Sequence, residues 1–264
     1  MGPSTVGEVV DKVRTDVDGA VWHVQLSDPG RRNAIDLTMR DRLAVVLSEA
    51  DQDPSCRAIV LSGAGGVFCA GGDLSSMSDD DVMGRRRMHA LADVARRLVR
   101  ASTPVVAAVD GYAYGAGLSL ALACDHIVAS PAAKFCCSFG AVGLTADAGL
   151  HWSLPQRVGA ARARRLILFG EVVDVAWARD WGLVDVVADA PSCVDVAMER
   201  AQLLARRAPL AIAASKRILA DTAAPLDVVL ARESAEQQSL FGSEDFADAR
   251  RAFFDKRPVT FEGR

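Results

Sequence analysis

The chain has 264 residues, a mass of 28.0 kDa and a formal net charge of -4. Half of its residues are apolar and 24% are charged, which is typical of a globular protein with a substantial core. The acidic balance argues against a nucleic-acid-binding function, which requires a basic face. No apolar run reaches the ~18 residues of a membrane span, and the first residues show no secretory signal pattern, so we expect a cytoplasmic protein.

Six cysteines are scattered through apolar segments without CxxC pairs, and the four histidines never take the HExxH spacing. This usage is typical of buried thiols in a reducing compartment. We therefore expect no disulfide framework and no metal site.

In chain order, the first part of the sequence predicts strands that alternate with helices. A helix is expected soon after the first strand, with Asp36 or Thr38 as its N-cap. Two glycine-rich loops interrupt the pattern, at 63–72 and 111–117. The predicted strands are 21–26, 57–62, 105–109 and 126–129, and two further helices are predicted at 79–102 and 118–124.

From residue 150 onward almost every segment has a helical pattern, after a loop-like stretch at 138–149. The sequence thus predicts an α/β core over 1–190 and a C-terminal helical region over 191–264. The predicted helices of this half are 150–158, 160–168, 175–181, 194–207, 209–221, 226–240 and 243–254.

The two glycine-rich loops do not fit the nucleotide-binding or serine-hydrolase motifs. The third glycine of GxGxxG would fall on Phe68 in the first loop and on Leu120 in the second. A GxSxG nucleophile motif fails because Ala121 occupies its last position. Tight turns of this kind can instead direct backbone N–H groups at a developing negative charge.

Both loops match known signatures in order. Residues 67–74 read VFCAGGDL, which is similar to F-x-A-G-(A/G)-D-(L/I), and residues 110–118 read DGYAYGAGL, which is similar to N-G-x-A-x-G-G-G. The chain therefore resembles the crotonase (enoyl-CoA hydratase/isomerase) superfamily. The resemblance implies an α/β fold, a crotonase-type spiral of ββα units with a C-terminal helical region.

The same resemblance implies a site for an acyl-CoA thioester. It assigns the N–H groups of Gly72 and Ala116 to an oxyanion hole for the thioester carbonyl. It also assigns acyl-CoA contacts to neighbouring positions in the two loops, namely Ala70, Asp73, Leu74 and Gly115.

Two further segments resemble coenzyme A-binding parts of the family. Residues 29–35 look like the loop that holds the adenine and pantetheine, with Arg32 and Ala34 at the contacting positions. Phe253 and Lys256 lie in a segment similar to F-x-x-K-R, which in relatives reaches the CoA of a neighbouring subunit; a solvated terminal charge is the alternative for Lys256. The resemblance implies a homotrimer or a dimer of trimers, and a coenzyme A that belongs to the substrate, with no separate cofactor.

The acidic residues distinguish the reactions of the family. Hydratases use two glutamates, and the matching positions here carry Ser119 and Phe139, neither of which is a strong base. Residues 143–150 instead resemble the G-L-x-x-D-x-G run of double-bond isomerases, in which the aspartate matching Asp147 transfers the proton. The alternative for Asp147 is that it caps the helix starting near Leu150.

The resemblance therefore favours an enoyl-CoA isomerase with Asp147 as its acid and base. An apolar pocket lined by Phe139 and Leu144 would raise the pKa of this aspartate above its ordinary value near 3.9. Two alternatives stay open: an enoyl-CoA hydratase that activates water through Asp147, and a non-catalytic acyl-CoA-binding protein.

Overall fold

The computed structural model describes residues 11–77, 80–189, 192–221 and 223–264. Within these ranges the chain forms nine strands and ten α-helices. The strands are β1 (Val13–Asp18), β2 (Val21–Leu26), β3 (Ala58–Gly63), β4 (Val105–Val109), β5 (Tyr112–Tyr114), β6 (His126–Ala129), β7 (Lys134–Cys136), β8 (Val172–Asp174) and β9 (Val186–Val187). The α-helices are α1 (Leu37–Gln52), α2 (Asp81–Arg100), α3 (Ala116–Ala123), α4 (Leu150–Val158), α5 (Ala160–Phe169), α6 (Val175–Asp180), α7 (Cys193–Ala205), α8 (Pro209–Leu219), α9 (Leu226–Phe241) and α10 (Glu244–Asp255).

The larger sheet has the strand order β1-β2-β3-β4-β6-β9 among the described residues. Its first pair is antiparallel and the other pairs are parallel. Parallel strands need crossover connections, and helices supply them here on the face that carries the main core. Both faces of the central strands are buried, which explains why their sequences are nearly continuous apolar runs.

Alternate side chains of these strands enter two separate apolar clusters. Ile59 and Leu61 of β3 face the main core formed with α1, α2 and α3, whereas Val60 faces the second cluster. Helix α7 closes that second face with Ala197 and Ala201. The strand period of two thus places one set of side chains towards the functional loops and the other towards α7.

A second, smaller sheet has the order β5-β7-β8. Strands β4 and β5 precede α3, and β6 and β7 precede the 3-10 helix Ser138–Val142, so successive turns of the chain add one strand to each sheet. This is the spiral of ββα units that the resemblance implied. The spiral brings loops from successive turns next to one another.

All of the predicted strands and helices are present, with ends that differ by a few residues. The side chain of Asp36 caps α1 and accepts a hydrogen bond from the Met39 N–H at 2.8 Å. The predicted start of α2 at Asp79 lies outside the described residues, and Asp80 caps the observed helix. The boundary predicted between residues 190 and 191 also lies outside them.

The prediction of an almost wholly helical second half was wrong for β8 and β9, and the sequence analysis also missed β1, β5 and β7. Four of these five strands have only two or three residues, too few to show alternation. Their extended form comes from pairing with segments far along the chain. In β7, for example, Lys134 pairs with Tyr112 on one side and Asp174 on the other.

The described helices include none that is both long enough and apolar enough to cross a lipid bilayer. All six cysteines are buried and free. Burial raises the pKa of Cys56, Cys69, Cys124 and Cys137 to about 12, so these thiols are neutral at ordinary pH.

Candidate active site

The two glycine-rich loops lie side by side. Cys69 forms a parallel bridge to Ala113, in which the Cys69 N–H donates to the Tyr112 carbonyl at 2.9 Å and the Tyr114 N–H donates to the Cys69 carbonyl at 3.0 Å. A Cβ added to Gly71 would lie 3.8 Å from the backbone nitrogen of Ala116. The spiral thus brings Gly72 and Ala116, distant in sequence, to the same place.

Glycine is required at several points of this contact. Gly71 has a φ of +111° and Gly115 a φ of +49°, and residues other than glycine rarely adopt these backbone angles. At Gly117 the reason is space, because a Cβ there would lie 2.4 Å from the Cys69 carbonyl oxygen. The glycine pattern therefore serves the close approach of two backbones.

Two backbone N–H groups at this contact are available to a ligand. Ala116 is the first residue of α3, where an N–H has no intrahelical acceptor. The bridge between Gly72 and Ile35 is made by the backbone groups of the residues on either side of Gly72. The N–H of Gly72 itself therefore has no backbone acceptor within the described ranges. The N-terminus of α3 adds a partial positive charge. Together these groups can stabilise an oxygen that becomes negatively charged.

Asp147 lies in the turn before α4, and its Oδ1 atom is buried without a hydrogen-bond partner among the described residues. It does not cap α4: the N-cap is Gly149, and no side chain caps that helix. The alternative of a helix-capping aspartate is therefore wrong. Asp147 as a whole is partly buried, and its Oδ1 atom faces the protein interior.

Burial raises the pKa of Asp147 to about 6. The positive charge of Arg40 and the polar Ser119 hydroxyl act in the opposite direction. The Ser119 hydroxyl also lies 3.3 Å from the Gly115 carbonyl oxygen, to which it can donate. The elevated pKa agrees with the sequence-based prediction, and a carboxyl group with such a pKa exchanges a proton readily near neutral pH.

Phe139 and Leu144 do not contribute equally to the apolar surroundings. Phe139 is 8% exposed, and its Cζ would lie 3.9 Å from a Cβ on Gly115. Leu144 is 48% exposed, although its N–H donates to the Phe139 carbonyl at 3.0 Å. The expectation that both would line a buried pocket is wrong for Leu144, which the loop carries to the surface of this chain.

Arg40 of α1 is a residue of this region that the sequence analysis missed. Its side chain is 2% exposed. Its Nη1 donates to the Arg87 carbonyl at 2.9 Å, and its Nη2 lies 3.6 Å from where a Cβ on Gly72 would be. A signal existed in the sequence, because Arg40 shares a helix face with the core residues Leu43 and Leu47.

The loop at 29–35 lies against the first glycine-rich loop. Arg32 has a left-handed backbone with φ 52°, and its carbonyl accepts the Ala70 N–H at 3.0 Å. Its side chain is exposed and Ala34 is half-buried. Asn33, which the sequence analysis did not select, is buried and donates to the Ala64 carbonyl at 2.9 Å. This amide fixes the spacing between the two loops.

Asp73 and Leu74 follow the first glycine-rich loop. Asp73 caps the 3-10 helix Leu74–Ser76 by accepting the Ser75 N–H at 3.1 Å, and it forms an ion pair with Arg31 at 2.8 Å. Its contacts in this chain are therefore structural. The side chain of Leu74 is half exposed beside it.

Phe253 and Lys256 are at the end of α10. Phe253 is 78% exposed, and Lys256 ends the helix in a left-handed conformation with φ 53°. Their approach to the coenzyme A of a neighbouring subunit stays a prediction, as does the trimeric or hexameric state.

The chain is similar to known proteins over nearly its whole length. The chain matches the family model described as enoyl-CoA hydratase/isomerase over residues 16–264. It is 32% identical to the 1,2-epoxyphenylacetyl-CoA isomerase of Escherichia coli K12 over 263 residues, which covers 97% of this chain and 100% of the relative. It is 31% identical to the short-chain-enoyl-CoA hydratase of Clostridium acetobutylicum over 253 residues, which covers 95% of this chain and 97% of the relative.

The chain is also similar to a solved structure of the family. The crystal structure of an enoyl-CoA hydratase from Polaromonas sp. JS666 has a TM-score of 0.90 and 32% identity, covering 94% of this chain and 99% of that chain. The chain therefore belongs to the enoyl-CoA hydratase/isomerase family of the crotonase superfamily. Because the relatives include an isomerase and a hydratase, membership alone does not decide between these two reactions.

Proposed function

We propose that the protein is an enoyl-CoA isomerase that moves a double bond along an acyl-CoA thioester. One observation carries the proposal: the Asp147 carboxylate has a raised pKa and a buried Oδ1 atom, and its pKa is affected by Ser119 of α3, the helix that begins at the available Ala116 amide. Ser119 and Phe139 occupy the positions at which the hydratases of the family carry their two glutamates. A double-bond shift needs only one group that takes and returns a proton.

In this mechanism the thioester carbonyl oxygen accepts hydrogen bonds from the N–H groups of Gly72 and Ala116. Asp147 removes a proton from the carbon beside the carbonyl, and the electron pair of that C–H bond moves into a conjugated enolate whose negative charge lies on the oxygen. The protonated Asp147 then returns the proton to the far end of the conjugated system. The product has the same composition as the substrate and a double bond one position away.

A pKa of about 6 suits both halves of this cycle. The carboxylate is mostly ionised at pH 7 and can accept a proton, while its conjugate acid is strong enough to donate it back. The enolate is held by oriented amides that need little reorganisation as the charge develops.

The substrate's coenzyme A would contact the loop that carries Arg32 and Ala34, and no further cofactor is required by this chemistry. We also propose Ala70, Asp73, Leu74, Gly115 and Leu144 as acyl-CoA contacts, and Phe253 and Lys256 as contacts made across a subunit boundary. The exposure of Leu144, Leu74 and Phe253 in the single chain is compatible with contacts to a ligand or a neighbouring copy.

Hydration is the second candidate, because Asp147 Oδ1 has no partner among the described residues and could accept a hydrogen bond from a water molecule. The two reactions differ in their products. Incubation with a 3-enoyl-CoA should give the 2-enoyl isomer of unchanged mass. Incubation with crotonyl-CoA should give little 3-hydroxyacyl product, and its rapid formation would favour the hydratase.

Replacing Asp147 by Asn tests the role of the carboxylate. The amide cannot act as a base, so kcat/KM for isomerisation should fall by about 10²–10⁴-fold. Binding of a non-reacting acyl-CoA, measured by calorimetry, should change little and serves as the control. If both the wild type and the variant bind acyl-CoA but neither turns it over, the protein is a binding protein.

A further inference from the structure

The guanidinium of Arg40 is a buried charge in the wall of the site. Both of its hydrogen bonds to the described residues go to carbonyl oxygens, that of Arg87 at 2.9 Å and that of Ile35 at 3.4 Å. Its Nε atom is buried without a partner in this part of the chain. Carbonyl oxygens do not neutralise a cation, and a buried charge is costly unless an opposite charge lies near it.

Arg40 and Asp147 form no direct ion pair among the described residues, but Asp147 is the carboxylate whose charge acts most strongly on Arg40, ahead of Asp36. Asp36 already forms an ion pair with Lys12 at 2.6 Å and caps α1 through the Met39 N–H. The Oδ1 atom of Asp147, in contrast, has no partner among the residues described. The Arg40 guanidinium and the Asp147 carboxylate thus each have a buried atom without a hydrogen-bond partner among the described residues, and their charges are opposite.

None of the other groups around Arg40 and Asp147 that are named below supplies a charge that removes the attraction between these two residues. Arg87 of α2 adds a second positive charge, and its Nη1 donates to the Ser76 hydroxyl at 3.1 Å. The Cys69 thiol is neutral, and Ser119 of α3 contributes only a polar hydroxyl. His151 of α4 is exposed to solvent.

We propose that Arg40 is a positioning residue whose buried positive charge keeps the Asp147 carboxylate ionised and ready to accept a proton. This inference rests on the proposed role of Asp147 as the base. Burial on its own favours the protonated acid, and a protonated Asp147 cannot begin the reaction. Arg40 thus opposes the effect of the apolar surroundings and sets the pH at which the enzyme becomes active.

The test compares pH profiles of kcat/KM for isomerisation in three variants. Arg40→Met removes the cation while keeping a long side chain, so the acidic limb of the profile should move to higher pH by about one pH unit or more. Activity at pH 5, below both pKa values, should then fall about tenfold or more, and alkaline pH should restore most of it. Arg40→Lys keeps the cation and should leave the limb near its wild-type position.

Arg42→Met is the matched control. Arg42 lies on the same helix and its side chain is 39% exposed, next to Asp11 and Glu49. The same charge is lost there, but water screens it, so the profile should not move. A shift in this control equal to that of Arg40→Met would overturn the proposal, because net charge would then explain the effect.

A direct titration separates this inference from the proposed function. In the full-length protein, 13C NMR of the Asp147 carboxyl, assigned with Asp147→Asn, should show a higher pKa in Arg40→Met than in wild type. An unchanged titration overturns the role of Arg40 even if Asp147 is essential. If Asp147→Asn keeps full activity, the proposed function fails, whatever the titration shows. Should Arg40→Met not fold, Arg40→Gln, which can still donate to the Arg87 carbonyl, makes the same comparison.

Discussion

At the scale of single residues, the site depends on glycines, whose lack of a side chain lets two backbone segments approach each other. A side chain at position 117 would collide with the Cys69 carbonyl, so Gly117 is required there. Gly71 is required because its backbone is left-handed beside the Ala116 nitrogen. The two amide groups can point at one oxygen only while these loops remain in contact. The chemistry of the site therefore depends on the contact between the two loops, which only residues without a side chain allow.

Gly117→Ala tests this dependence. The new Cβ would lie 2.4 Å from a backbone oxygen, so one loop must move, at a cost of about 1–3 kcal/mol in the free energy of unfolding. Displacement of the amides should lower kcat/KM at least about tenfold. Gly84→Ala in α2, where the Cβ would meet no atom within 4 Å, is the control and should stabilise the protein by about 0.5–1 kcal/mol. Wild-type activity in Gly117→Ala would contradict the explanation.

Asp147 should also make stability depend on pH. Its pKa is about 6 in the folded protein and near 3.9 when unfolded, so the folded state holds the proton more tightly between these values. Stability from this group is present at low pH and is lost as pH rises through about 6. Asp147→Asn should therefore gain about 2–3 kcal/mol relative to wild type between pH 4 and pH 8 in chemical unfolding. A difference that does not vary with pH would show that the carboxyl group is solvated.

At the scale of elements, a buried polar contact attaches helix α8 to the core. Lys216 of α8 is buried, donates to the Leu98 carbonyl of α2 at 3.3 Å and forms an ion pair with Asp125. Asp125 in turn accepts the Val105 N–H of β4 at 2.7 Å. This chain of contacts joins α8, α2 and the sheet beneath the functional loops.

Lys216→Met should destabilise the protein because it leaves Asp125 beside the sheet without its cation. Asp125 is about one third exposed, so we expect a loss of about 1–3 kcal/mol in the free energy of unfolding rather than the larger cost of a fully buried pair. The adjacent Arg217 pairs with Glu236 at the surface, and Arg217→Met should cost less than about 1 kcal/mol. Equal effects of the two variants would show that the Lys216 contact is not a buried anchor.

At the scale of the whole molecule, the sequence predicts the strands that have long apolar runs and the helices with a clear period. Strands such as β5 and β7 escape prediction because three residues become extended only through partners on other turns of the spiral. Motifs lead to Gly72, Ala116 and Asp147, since each lies in a run that resembles a family signature. Arg40 belongs to no such run, and its importance depends on the fold, which buries its charge where it acts on Asp147.

The site is therefore a property of the assembled spiral, in which α1, two glycine-rich loops and the turn before α4 meet. In the proposed function, Asp147 of this site moves a proton at the carbon beside a thioester carbonyl. Exchange of that proton with deuterium from heavy water, followed by mass spectrometry of a saturated acyl-CoA, measures this step without product formation. We expect wild type to exchange the proton well above the rate without enzyme and Asp147→Asn to lose about 100-fold or more of that rate; exchange at the same rate in both proteins would contradict the role of Asp147.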